Sequence, residues 1–71
     1  MLDLSEVRPG DTVRRKPDGL TKMVLKVDGN FIYTVQGGFY HFKHAEIKSP
    51  MGWLAVHLDF QTWLGRVYDN L

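Results

Sequence analysis

Turn-forming residues punctuate the first fifty positions too often for helices: Pro9-Gly10-Asp11, Pro17-Asp18-Gly19, Asp28-Gly29-Asn30 and Gly37-Gly38. Apolar and polar residues alternate between these breaks, which is the period-two pattern of half-buried strands. Turn signals every ~8–12 residues belong to a small sandwich or barrel. The sequence therefore predicts strands over 12–16, 22–27, 31–36 and 39–43, with His44 to Ile47 as a short turn or final strand. Asp28-Gly29-Asn30 is the clearest hairpin signal, because Gly and Asn tolerate the positive φ of tight hairpin turns. Gly10 should permit a tight entry into the first strand, and Asp11 should bond the turn backbone.

The alternation also assigns faces. On 22–27, Met23, Leu25 and Val27 are expected in the core, Lys22 and Lys26 in water, and Val24 opposite the core set. On 31–36 either Phe31, Tyr33 and Val35 or Ile32, Thr34 and Gln36 face inward; size favours the first set.

From Ser49 the pattern changes. Trp53, Val56, Phe60, Trp63, Leu64 and Val67 fall on one side at helical spacing, Ser49 suits an N-cap and Pro50 the first helical position. A helix over 51–64 is expected, in preference to a strand through Trp53-Leu54-Ala55-Val56-His57-Leu58, where Val56 is the only β-branched residue. The expected architecture is mainly β: one domain, 1–71, made of a five-stranded SH3-like barrel (7–50) and a C-terminal amphipathic helical extension (51–71).

Seventy-one residues give a thin core, and the absence of cysteine excludes disulfides and thiolate zinc sites. A partner subunit would add burial to such a chain. No apolar run is long enough to span a bilayer, and Met1 to Gly10 lacks the pattern of a secretory leader, so a cytoplasmic protein is expected. The net charge of +1 provides no long-range field to gather a polyanion.

Pro9-Gly10-Asp11 ahead of Val13 and Lys16, Gly19, Met23-Val24-Leu25, an aromatic hairpin and the ending Phe42 to Ile47 resemble the YodC-like small proteins of bacteria and their phages. More loosely, residues 7–50 resemble SH3-like barrels of KOW type. The resemblance implies a five-stranded barrel and little chemistry, since these small proteins are largely uncharacterised.

Arg14, Arg15, Lys16, Lys22 and Lys26, interleaved with Tyr33 and Phe39, could form a cationic surface with stacking platforms for nucleic acid. The plainer reading is a solvated exterior that blunts strand edges. His41, His44, Glu46 and His57 invite a metal hypothesis, but positions 41 and 44 of a strand face opposite sides, and no metal or other cofactor is expected. Neither a nucleophile with a base nor a phosphate loop is present, so no enzymatic activity is expected. The helix carries the most informative feature, an apolar arc far wider than the ~100° that covering a core requires. Trp53, Leu54, His57, Phe60 and Trp63 are accordingly expected to contact a protein partner, most economically a second copy. The functional expectation is a non-enzymatic module acting through protein contacts, self-associating through its C-terminal helix; the alternative is a nucleic-acid-binding barrel using the 14–26 face.

Overall fold

The computed structural model describes residues 1–61 together with 64 and 65. Seven strands form one mixed sheet: β1 Leu2–Asp3, β2 Thr12–Arg15, β3 Thr21–Asp28, β4 Phe31–Thr34, β5 Phe39–His41, β6 Ala45–Ser49 and β7 Gly52–His57, in the spatial order β1-β7-β6-β2-β3-β4-β5. Neighbours are antiparallel except β1, which runs parallel to β7. The mainly-β expectation holds, and the β3-β4-β5 meander is where the turn residues put it. The strand count is seven rather than five.

Turn chemistry explains the connections. Gly10 has φ +94, and the Arg8 N–H donates to Asp11 Oδ2 at 2.9 Å. The Gly10 N–H donates to the Val24 carbonyl, and the Val24 N–H to that of Asp11, which stitches the entry turn onto β3. Gly29, at φ +59, carries the β3-β4 turn. Gly38 sits where the chain approaches itself closely: a Cβ there would lie 2.6 Å from Thr34 Oγ1 and 3.0 Å from Lys22 Nζ.

The largest departure from the sequence reading is at the C-terminal end. Residues 52–57, expected in a helix, form the strand β7, which pairs with β6 as Ile47↔Leu54, Lys48↔Trp53 and Glu46↔Ala55. Ser49 caps no helix. Its Oγ accepts the Met51 N–H at 3.1 Å and donates to the Gly52 carbonyl at 2.8 Å, closing a hairpin turn around Pro50 with Gly52 at φ +111. A Ser-Pro pair starts a turn as readily as a helix, and the ladder offered by β6 decides between them. α-Helical conformation first appears at Phe60 and Gln61.

A single aliphatic core of Leu4, Val7, Val13, Val24, Ile32, Ala45, Ile47 and Val56, with Tyr40 and Thr34, lies on one side of the curved sheet. The 3-10 turn after β5, Phe42–His44, packs against β7 and brings the far strands back toward the near ones. The expected face of β3 is inverted over its first half. Val24 is buried, Met23 is 49% and Leu25 55% exposed, and Lys22, paired with Val13 on the core side, is half-buried rather than solvated.

The cause is a β-bulge. Val24 pairs with Thr34 but Lys26 with Tyr33, so Leu25 is the extra residue, and the inward positions become Val24 and Val27, three apart instead of two. Beyond the bulge Val27↔Ile32 faces in, and Lys26↔Tyr33 and Asp28↔Phe31 face out. On β4 the core therefore receives Ile32 and Thr34, not Phe31 and Tyr33; Val35 lies past the strand, half-buried. Ile32 fills the core beside valine, leucine and the ring of Tyr40, and the rings of Phe31 and Tyr33 stay outside.

Candidate functional site

The outer surface of β2, β6 and β7 is built from cross-strand pairs. Arg14 lies opposite Glu46, with Nη2 at 3.1 Å from Oε1, and its guanidinium sits 4.3 Å above the Trp53 ring. Lys48, opposite Trp53 on β6, places its ammonium 5.4 Å from the same ring. Two cations over an electron-rich indole are attracted to its face. Farther along, His57 Nε2 lies 3.6 Å from Asp3 Oδ1, and that oxygen also accepts the Asp59 N–H at 2.8 Å, tying β1 to β7. Hydrogen bonds from Ser5, above all, hold the Asp3 carboxyl below its ordinary pKa.

The outer surface of β3, β4 and β5 is different. Phe31 meets Phe39 edge to face at 5.5 Å between ring centroids, and His41 at 5.3 Å; Tyr33 lies 6.0 Å from Phe39. Phe39 is 59% exposed, Phe31 is also exposed, and Leu25 stands out at the bulge opposite Tyr33. Lys26 holds its ammonium 5.2 Å over the Tyr33 ring, and Asp28 shares the face two residues on. Among the described residues neither Lys26 nor Asp28 forms an ion pair. Burial, followed by the charge of Lys43 and the neighbouring His44, depresses the His41 pKa and favours the neutral imidazole.

The residues expected to bind a partner do not share a face. Trp53 and His57 point outward from β7, while Leu54 pairs with Ile47 on the core side, because a strand alternates where a helix would have aligned them. Phe60 is exposed beyond the strand, and Trp63 lies outside the described residues. The expected cationic face is likewise dispersed. Arg14 is engaged by Glu46 and Trp53. Arg15 pairs with Asp18 and lies over the buried Tyr40, and this contact, with the Leu20 N–H, holds the Asp18 carboxyl at about 2. Lys16 lies beyond β2, Lys22 on the core side, and only Lys26 reaches the aromatic surface.

The Phe31, Tyr33, Phe39 and His41 cluster was not singled out from the sequence. The readable signal is the alternation of large rings at 31, 33, 39 and 41 on either side of Gly37-Gly38; Tyr33 and Phe39 are expected as stacking platforms, while the size argument sends Phe31 and Tyr33 to the core. The His41 and His44 rings are 6.3 Å apart, and among the described residues no group of three potential metal ligands gathers. No enclosed pocket forms among those residues, and none of their helices is long and apolar enough to cross a membrane. No protein-family model, curated protein or solved structure matches the chain.

Proposed function

We propose that this chain is a non-enzymatic binding module that acts through protein contacts, and that its contact surface is the outer face of β3, β4 and β5. One observation carries the reading: Leu25, Phe31 and Phe39 are exposed together, around Tyr33, on a single sheet face. Contiguous apolar patches on small proteins mark interaction sites, and aromatic rings are the common anchors of protein interfaces. No enclosed pocket forms among the described residues, which suits a protein better than a small molecule, since the latter calls for a concave site. Nucleic acid fits less well. Arg14 and Arg15 are already engaged with carboxylates, and Asp28 stands on the aromatic face where a phosphate backbone would have to pass.

Replacing Phe39 with a photoreactive amino acid and irradiating the host cells tests this reading. Crosslinks to protein, whether another copy or a different chain, support it. Crosslinks to nucleic acid, or none from this position, contradict it.

A further inference from the structure

The face just described has a charge pattern that matches itself. Lys26 and Asp28 project from the same side of β3, ~7 Å apart as alternate residues of a strand, with the aromatic rings beside them on β4 and β5. If two such faces meet about a two-fold axis that runs along β3, Lys26 lies against Lys26. If the axis instead crosses the strands, rotation reverses their direction and exchanges the two levels. Lys26 of each copy then meets Asp28 of the other, twice. The same operation sets Phe31 against Tyr33 and Phe39 against His41, because Phe31 shares its level with His41 and Tyr33 with Phe39. An isologous interface requires this kind of self-complementarity, residue i against j and j against i. Like charges placed opposite each other disfavour the axis along β3, and only the axis that crosses the strands gives each Lys26 an opposite charge.

Resting on the protein-contact reading above, we propose that the occupant of this face is a second copy of the chain, packed face to face about a two-fold axis crossing β3, β4 and β5, with reciprocal Lys26–Asp28 pairs flanking a centre of aromatic rings. The neutral imidazole of His41 can enter such a centre without burying a charge. Self-association by this route needs none of the C-terminal residues first expected to provide it.

The test is mass by light scattering and sedimentation across a dilution series at moderate salt, with circular dichroism to confirm that each variant is folded. The native chain should be dimeric at the upper concentrations. K26D and D28K should each weaken association by ~10-fold or more, since each places like charges together twice and ~1.4 kcal/mol is tenfold. The double variant K26D/D28K should recover the dimer, and Phe39→Ser should abolish it irrespective of charge. A monomeric native chain, a double variant that stays monomeric, or a Phe39→Ser chain that stays dimeric would each overturn the proposal. A monomeric native chain whose position 39 still crosslinks to a different protein would overturn the second copy alone and leave the protein-contact reading standing.

Discussion

The two outer surfaces of the sheet are made from similar materials and finished differently. On β2, β6 and β7 the charged groups meet complements within the chain: Arg14 has Glu46 and Trp53, Trp53 also has Lys48, and His57 Nε2 lies near Asp3, although its buried Nδ1 has no hydrogen-bond partner among the described residues. On β3, β4 and β5 the rings of Phe31, Tyr33, Phe39 and His41 touch mainly one another, and Lys26 and Asp28 lack ion-pair partners among the described residues. The first surface joins its ion pair and its cations around one half-buried indole, whereas the second leaves Leu25, Phe31 and Phe39 exposed to water. The difference lies less in composition than in register, because cross-strand pairing sets opposite charges together on one side and rings together on the other.

The comparison breaks most severely if the core is placed wrongly. Ile32 is fully buried and Phe31, its neighbour, faces out. Ile32→Ala should cost ~2–5 kcal/mol, enough to unfold much of so small a domain, as measured by thermal or urea denaturation. On the finished surface, Trp53→Ala should cost ~1–2 kcal/mol, because it removes one ring and two cation contacts. On the unfinished surface, Phe39→Ser should change the stability of the dilute monomer by only ~0.5 kcal/mol or less, although the ring it removes is as conspicuous. Equal losses at Trp53 and Phe39 in dilute solution would erase the distinction.

Acid should separate the two sides more finely. The His41 pKa is lowered in the folded chain, so this group contributes stability that is complete above its unfolded value near 6.5 and is lost as pH falls toward the folded value. Phe31, Phe42, His44 and Lys43 are the neighbours that set it. Asp18 is also lowered, to about 2, so its contribution is complete above the ordinary carboxylate range near 3.8 and is lost only between there and about pH 2. Acidification should therefore loosen the aromatic side first. His41→Phe should remove the step that lies below pH 6.5, and Asp18→Asn the one between pH 3.8 and about 2, in melting temperature followed against pH.

Much of the strand order was legible, and the faces were not. Gly10, Asp28-Gly29-Asn30 and Gly37-Gly38 mark turns by backbone requirement, which is local information. The bulge at Leu25 is not local: it arises because β3 pairs with β2 over its first half and with β4 over its second, and one extra residue lets the strand bend between them. Strict alternation then picks Met23 and Leu25 for the core and misplaces both. The segment from Trp53 to His57 satisfies helical and strand periodicities at once, and only the distant ladder of β6 separates them. β1, two residues long and held by a parallel pairing with β7, carries no sequence pattern at all. The candidate surface was missed for the same reason as the core, since inverting one inverts the other.

Radical footprinting of the native protein at two concentrations tests most directly whether one surface is finished by folding and the other by contact. Labelling of Phe31, Tyr33 and Phe39 should fall several-fold between a dilute and a concentrated sample, while labelling of Trp53 stays the same at both. Unchanged labelling of the three rings, or protection that appears at Trp53 instead, would contradict the account.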